Sequence, residues 1–180
     1  EPIGIDMRFK LVALSACLLS GLVGPVDAQQ GTITGEWRSY AGDLGSTKYS
    51  PLDQINRDNV QDLEIAWRWK TDNFGSRTET YSRVTPIMVN GVLYATAGRR
   101  RAAVAIDAAT GETLWMYRID EGVRGDNAPR RNSGRGIAYW SGLPDETDAQ
   151  IFLITPGYHL VALDAATGRP VPNFGQDGVV

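Results

Sequence analysis

Short apolar runs separated by turn residues fill the second half of the chain. In the segment Pro86–Thr96, two apolar runs flank an Asn-Gly pair at 90–91, which is the strongest short signal for a two-residue hairpin. In the segment Ile151–Val161, two further runs flank a Pro-Gly pair at 156–157. Runs of this kind bounded by turn residues are typical of β-strands. The pattern therefore predicts an antiparallel hairpin at each place and an all-β fold.

One seven-residue segment occurs twice, 57 residues apart. It reads Ala-Ile-Asp-Ala-Ala-Thr-Gly at 105–111 and Ala-Leu-Asp-Ala-Ala-Thr-Gly at 162–168. Each copy follows an apolar run and ends on a glycine, which can take the positive φ of a tight turn. With the preceding hairpins, each repeat contains four strands in roughly 40 to 60 residues, the size of a β-propeller blade. The repeat predicts about two blades, preceded by a ring-closing strand at Glu64–Lys70.

The number of predicted blades is small for a closed ring. A propeller needs about four blades or more, and the sequence ends at 172–180 without a further apolar run that could cover the last sheet. We therefore expect residues 29–180 to be the N-terminal, truncated part of a larger propeller.

The first 28 residues have the layout of a secretory signal peptide. A basic stretch at Met7–Lys10 precedes an apolar stretch at Leu11–Val23, and small residues at Val26–Ala28 fit a cleavage site. This predicts export to the periplasm, with a mature chain that begins at Gln29 and with residues 1–6 upstream of the signal. An alternative remains open, because Leu-Ser-Ala-Cys at 14–17 resembles a bacterial lipoprotein box that would anchor the chain through Cys17.

Composition removes several classes of function. Cys17 is the only cysteine, so the sequence offers neither a disulfide framework nor a thiolate metal site. With 18 basic and 21 acidic residues, the net charge of −3 gives no support for binding to nucleic acid.

Several polar residues have simple structural interpretations. Asp107 and Asp164 precede Ala-Ala-Thr-Gly, so their side chains can bond to the amides of the turn. Trp115 is expected to pack between blades. His159, the single histidine, is expected to be a packed or edge side chain in a strand. The arginine run 99–101 is expected to be a solvated loop.

A denser arginine cluster has a different expectation. Arg130, Arg131 and Arg135 lie within six positions of one another. Guanidinium groups this close together repel one another unless an anion lies between them. We expect at least two of them to face an anionic ligand.

The opening phrase and the repeat together resemble a known family. The features that carry the resemblance are Trp37 and Gly42, the segments Tyr-Ser-x-Leu-x-x-Ile-Asn at 49–56 and Asn-Val-x-x-Leu-x-x-Ala-Trp at 59–67, and Ala-x-Asp-x-x-Thr-Gly-x-x-x-Trp at 105–115. Together they resemble the pyrroloquinoline quinone (PQQ) dependent alcohol and glucose dehydrogenases. The resemblance covers residues 35–180. Segments 85–94, 127–139 and 155–158 are most similar to the quinoprotein glucose dehydrogenase type.

The resemblance implies a fold, a reaction and partners. It implies an eight-bladed propeller that oxidises an aldose or an alcohol with PQQ and a calcium or magnesium ion. It also implies that electrons pass to a membrane quinone or to cytochrome c. The alternative is a secreted propeller scaffold that binds partner proteins and has no cofactor, as in outer-membrane assembly lipoproteins that share such repeats.

The resemblance also assigns cofactor-binding residues. The family has a glutamate three positions before Pro86, where this chain has Arg83, and an Arg-Gly pair that matches 135–136. Adjacent cysteines upstream of that pair in methanol dehydrogenases are replaced here at 129–130. The metal ligands and the catalytic aspartate of the family come from later blades, so no catalytic or metal-binding residue is assigned in this chain. The assigned cofactor-binding residues are Arg135, Arg83, Arg131 and Ser133.

Overall fold

The structure, a computed structural model, describes residues 32, 35–71, 79, 81–142 and 148–180. The predicted signal segment and Cys17 lie outside the described residues, so both export and lipid anchoring stay predictions. Across the described ranges, no helix combines the length and the apolar character needed to cross a membrane.

The first sheet contains four antiparallel strands in chain order. They are β1 (Ile87–Val89), β2 (Val92–Ala97), β3 (Ala102–Asp107) and β4 (Thr113–Tyr117). Asn90 and Gly91 connect β1 to β2 with φ values of 51° and 74°, which is the geometry that an Asn-Gly hairpin adopts. The first predicted hairpin is confirmed.

The second sheet contains β5 (Ala138–Trp140), β6 (Gln150–Ile154) and β7 (Leu160–Asp164), again antiparallel and in chain order. Residues 170–180 run along the edge of β7, where isolated bridges join Leu163 to Pro170 and Val161 to Val179. The expectation that residues 172–180 leave the last sheet uncovered is therefore wrong. Strands β6 and β7 pair antiparallel on either side of the Pro-Gly pair at 156–157, which confirms the second predicted hairpin. Two successive antiparallel sheets agree with the predicted all-β, blade-like organisation.

The two sheets pack face to face through one apolar cluster. Side chains of alternating residues in β3 point to opposite faces, so Ala103 and Ala105 contact the second sheet while Val104 and Ile106 contact a separate cluster on the far side. Residues 102–106 are all buried for this reason. The cluster between the sheets consists of Ile87, Val89, Tyr94, Ala103, Ala105, Ile151, Leu153, Val161, Leu163 and Ala165.

A tryptophan docks against each corner turn in the same way. The indole Nε1 of Trp115 donates to the carbonyl of Ala165 at 2.9 Å, and its ring lies where a side chain on Gly168 would otherwise be. The interpretation of Trp115 as an inter-sheet packing residue is confirmed. A side chain at this glycine would collide with the ring, so the glycine that ends the repeat provides space for the tryptophan as well as the turn.

Trp67 repeats this arrangement one sheet earlier. Its Nε1 donates to the carbonyl of Ala108 at 3.1 Å, and its ring lies against Gly111. The segment thus occupies the place before the first sheet that was predicted for the ring-closing strand. The described residues contain no strand beside Glu64–Lys70 with which it could form a ladder, so its pairing as a ring-closing strand stays a prediction.

Both corner turns are closed by their aspartates. The Oδ1 atom of Asp107 accepts hydrogen bonds from the amides of Ala109 and Thr110 and from the Thr110 hydroxyl. Asp164 accepts in the same way from the amide and the hydroxyl of Thr167. The turn-making interpretation of both aspartates is confirmed.

Two short helices lie in the connections, within the part of the chain that the structure describes. A 3₁₀ helix spans Val60–Asp62, and an α-helix, α1, spans Gly122–Asp126. Residues of α1 and the residue before it reach the β6–β7 hairpin and help to frame the site described below.

Candidate functional site

An open cleft of about 980 Å³ lies where three connections meet. Its walls come from the residues that precede β1, from the segment between α1 and β5, and from the β6–β7 hairpin. All four residues assigned to the cofactor from the sequence line this cleft, although they come from positions up to 52 apart in the chain. They are Arg83, Arg131, Ser133 and Arg135.

The lining of the cleft is strongly basic. Among the described residues, five arginines line it and no aspartate or glutamate does. The Arg83 guanidinium lies over the Tyr81 ring, 4.7 Å from its centre, and Arg130, Arg131 and Arg135 form no ion pair with the described carboxylates. Guanidinium groups bind carboxylates in a bidentate geometry. The cleft therefore suits a ligand with several carboxylates.

The segment 130–135, which carries three of these arginines, is anchored through Ser133. This residue is fully buried. Its amide and its hydroxyl both donate to Oε1 of Glu79, at 2.8 and 2.5 Å, and its carbonyl accepts from the Thr96 hydroxyl at 2.5 Å. Since the polar groups of Ser133 are engaged with the protein, the structure gives it an anchoring role. Its contact with a cofactor stays a prediction.

Arg101 anchors the same segment from the β2–β3 turn. Its guanidinium donates to the carbonyls of Asn132, Ile154 and Arg130 at distances of 3.1, 2.9 and 3.1 Å. Burial lowers the pKa of Arg101 from its ordinary value, and the carboxylates of Glu121 and Glu79 oppose that shift. The expectation of a solvated arginine loop is wrong for Arg101, because its side chain lies inward and joins the two sheets.

The Arg-Gly pair at 135–136 contacts the segment that precedes β1 through the backbone. The amide of Thr85 donates to the carbonyl of Arg135 at 3.1 Å. Gly136 has a φ of 144°, and a Cβ at this position would lie 3.0 Å from the carbonyl oxygen of Thr85. Glycine therefore allows the close backbone approach that fixes Arg135, whose side chain is exposed at the cleft.

A second carboxylate, Glu121, lies outside the cleft lining and supports the β6–β7 hairpin, which forms one wall of the cleft. Its Oε1 atom accepts from the Thr155 hydroxyl at 2.5 Å and lies 2.8 Å from Nδ1 of His159, and Oε2 accepts from the amide of Gly157 at 3.0 Å. Burial alone would raise the pKa of Glu121. The hydrogen bonds from Thr155, Gly157 and His159 together outweigh burial and lower the pKa below its usual value.

His159 is partly buried, which confirms the expected packed side chain, but it lies in the connection before β7 and not in a strand. Its partner was not anticipated. The pairing with Glu121 joins residues 38 positions apart. Glu79, Arg101 and Glu121 were all missed by sequence reasoning for the same reason. Their hydrogen-bond partners are distant in the chain, and no local motif marks them.

Metal ligands form no cluster in this part of the molecule. Within residues 32, 35–71, 79, 81–142 and 148–180, no group of three or more His, Cys, Asp or Glu side chains could hold an ion.

The sequence of this region matches one family model over most of the chain. Residues 37–180 match the model described as PQQ: glucose/ethanol/alcohol dehydrogenase, beta-propeller domain. This match takes in both sheets, the docking tryptophans and the whole cleft. The chain belongs to this PQQ-dependent dehydrogenase family.

Individual relatives agree with the family match. The chain is 36% identical to the dehydrogenase subunit of the quinone alcohol dehydrogenase of Gluconobacter oxydans (strain 621H), over 94% of this chain and 22% of the relative. It is 30% identical to quinoprotein glucose dehydrogenase A of Acinetobacter calcoaceticus, over 85% of this chain and 21% of the relative. The matches thus include enzymes named for alcohols and for glucose.

A solved structure supports the same conclusion for the fold. The quinohemoprotein alcohol dehydrogenase of Comamonas testosteroni superimposes with a TM-score of 0.61 at 31% identity, over 77% of this chain and 19% of that structure. The chain therefore has the fold of part of a PQQ propeller, and it spans about a fifth of the length of these relatives.

Proposed function

We propose that this chain is the N-terminal part of a periplasmic PQQ-dependent dehydrogenase that oxidises an aldose or an alcohol. Electrons would pass to a membrane quinone or to cytochrome c. The observation that carries the proposal is the cleft, in which five arginines and no carboxylate line a cavity of about 980 Å³. The quinone dehydrogenase relatives support the reaction class.

The donor set of the cleft fits the proposed cofactor. PQQ is a planar tricarboxylate, and Arg130, Arg131 and Arg135 have guanidinium groups without a carboxylate partner among the described residues. These three arginines would hold the cofactor, while Arg83 takes the place of the glutamate expected from the family. When bound, PQQ supplies a quinone that accepts hydride from the substrate.

Arg135 has the most direct proposed role in the chemistry. Its backbone is fixed against Thr85 and its side chain is free to enter the cleft. A guanidinium placed beside the quinone oxygens stabilises the negative charge that develops there during the reaction. Arg131 is half-buried and would contribute mainly to holding the cofactor.

The remaining parts of the active site would come from elsewhere in the longer protein. We propose that the aspartate base and the ligands of a calcium or magnesium ion lie in further blades, as the resemblance to the family implies. The reaction needs the metal, the base and the cofactor in one pocket. Residues 29–180 alone are therefore expected to be inactive.

The experiment that tests the function compares two proteins. The complete gene product and the segment 29–180 are purified, supplied with PQQ and calcium, and assayed by dye reduction with glucose and with ethanol. We expect PQQ-dependent reduction by the complete product and none by the segment. Failure of the complete product to bind PQQ would overturn the proposal and favour a scaffold that binds partner proteins.

Localisation has its own test. If export uses a cleaved signal, N-terminal sequencing of the mature protein from the periplasm starts at Gln29. A lipid-modified Cys17 in the membrane fraction contradicts cleavage at that site and supports the lipoprotein alternative.

A further inference from the structure

The turn between β6 and β7 has an unusual residue at its last position. The amide of Thr155 donates to the carbonyl of His159 at 2.9 Å, and the amide of Tyr158 donates to the carbonyl of Thr155 at 3.0 Å. Three-residue hairpin loops of this type end on a residue in the left-handed region, normally a glycine. Here that residue is Tyr158, with a φ of 67°, while Gly157 one position earlier does not have a positive φ.

The left-handed conformation of Tyr158 is held from outside the hairpin. A bulky residue in this region is strained and keeps the conformation only when its surroundings impose it. Glu121 imposes it here, because its carboxylate accepts from the Thr155 hydroxyl and the Gly157 amide and pairs with the His159 ring. Arg124 adds a bond from Nε to the carbonyl of Gly157 at 2.6 Å.

The strain places an exposed aromatic ring in the lining of the cleft. Tyr158 lines the cleft and is 60% exposed, and Tyr40 and Tyr81 line it with 64% and 53% of their surface exposed. By contrast, Ser133 of the same lining is fully buried. The cleft therefore combines exposed tyrosines with an arginine-bearing backbone that is anchored through the buried Ser133. The exposed tyrosines are open to contact with a molecule in the cleft.

We propose that Tyr158 is a substrate-contacting residue of the cleft and that Glu121 and His159 are its positioning residues. The inference rests on the proposed function, in which the arginines hold the cofactor. The face of the Tyr158 ring packs against the carbon skeleton of the incoming sugar or alcohol. A glycine would form the same turn without strain. The strain at Tyr158 is retained because its ring is needed in the lining of the cleft.

The decisive variant is Tyr158→Gly in the complete gene product. Glycine adopts a φ of 67° without strain, so the fold is preserved and the unfolding midpoint stays the same or rises. We expect the KM for the oxidised substrate, with glucose and ethanol assayed in parallel, to rise about tenfold, in line with the loss of one aromatic contact. The kcat and the affinity for PQQ stay unchanged.

Two further variants separate contact from structure. Asp177→Gly replaces another left-handed residue, with a φ of 50°, at an exposed position that does not line the cleft, and it should leave the KM unchanged. Tyr158→Phe retains the ring, and its KM should stay within about twofold of the wild-type value.

Three outcomes overturn the proposal. One is a wild-type KM in Tyr158→Gly, and another is an increase in the dissociation constant of PQQ with no change in KM, which would place the ring on the cofactor. In both cases the wild type is active and the proposed function stands. The third is a wild type without PQQ-dependent activity, which removes the proposed function and this inference with it.

Discussion

The corner turns and the arginine-bearing segment are both held by hydrogen bonds from side chains to backbone, but over different distances along the chain. Asp107 bonds to residues two and three positions away. The segment 130–135 is held by Glu79, 54 positions from Ser133, and by Arg101, 29 and 31 positions from its two acceptors there. The corners are thus locally determined, whereas the arginine-bearing segment depends on the packing of the first sheet.

This difference explains why the two regions serve different purposes. A local turn can form wherever its motif occurs, so it can be repeated from blade to blade. A segment held from several distant places can keep charged side chains close together without an internal ion pair. The repeat builds the scaffold, and the irregular connections between repeats build the cleft.

The largest effect is expected at the arginine that the anchored segment presents to the cleft. Arg135→Ala in the complete gene product should reduce turnover by about 10²- to 10³-fold at saturating PQQ, the typical cost of losing one preorganised donor. Dye reduction at saturating cofactor measures it. Arg99→Ala is the control, because its side chain lies outside the cleft lining and only its carbonyl bonds to Asn132. Equal losses in both variants would remove Arg135 from the proposed site.

Loss of the Trp115 contact between the two repeats should give the next largest effect, which is on the stability of the fold. Trp115→Ala removes a half-buried indole that packs on Gly168 and bonds to Ala165, and should lower the free energy of unfolding by about 3 kcal/mol. Trp115→Phe retains most of the ring contact and loses the hydrogen bond, which should cost about 1 kcal/mol. Urea denaturation measures both. A Phe variant as unstable as the Ala variant would mean that the bond to Ala165 carries the docking.

Much of the scaffold could be predicted from the sequence, because its determinants are local. The Asn-Gly hairpin, both aspartate turns and Trp115 were identified from adjacent residues, and the structure confirms them. The three arginines and the one serine assigned to the cofactor do line one cleft. Their supports could not be predicted, since Glu79, Arg101 and Glu121 find their partners only after the sheets have packed.

Arg101 tests how far the segment 130–135 depends on a distant support. Arg101→Met retains much of the apolar stem but leaves three carbonyls without their donor, which should lower the free energy of unfolding by about 2 kcal/mol. Because two of these carbonyls belong to the segment 130–135, the affinity for PQQ should also fall. Calorimetric titration with PQQ and urea denaturation check the two effects. Lost stability with unchanged PQQ affinity would show that the segment holds its position without Arg101.

The pH dependence of stability should distinguish the long-range carboxylate from the local one. The pKa of Glu121 is lowered in the folded protein, so its contribution to stability is fully present above its ordinary value in the unfolded chain and is lost as the pH falls through the lower folded value. The pKa of Asp107 is lowered as well, by hydrogen bonds from Thr110. Those bonds span three residues and can persist in the unfolded chain, which reduces the difference between the two states.

The comparison is made with Glu121→Gln and Asp107→Asn. In wild type, the unfolding midpoint should fall as the pH is lowered through the acidic range in which Glu121 binds a proton. Glu121→Gln should be less stable at neutral pH and show a shallower acid dependence, while Asp107→Asn should keep a dependence close to that of wild type. Parallel acid titrations of unfolding measure this. Equal flattening in both variants contradicts the distinction between local and long-range support.

The smallest effect is expected from the corner turns themselves. Asp107→Ala and Asp164→Ala each remove the acceptor for a threonine amide and hydroxyl in the same turn. Both sites are at the surface, where water replaces the lost acceptor, so each variant should lower the unfolding midpoint only slightly and by a similar amount. The Trp115 variants, measured in the same urea series, give the loss of stability against which these small losses are compared. Because the two turns share one motif but lie in different sheets, a similar small loss shows that the turn is an independent local unit. A large loss of stability in Asp107→Ala alone would mean instead that the first corner also supports Trp67, whose indole bonds to the neighbouring Ala108. The first corner would then belong with the long-range supports.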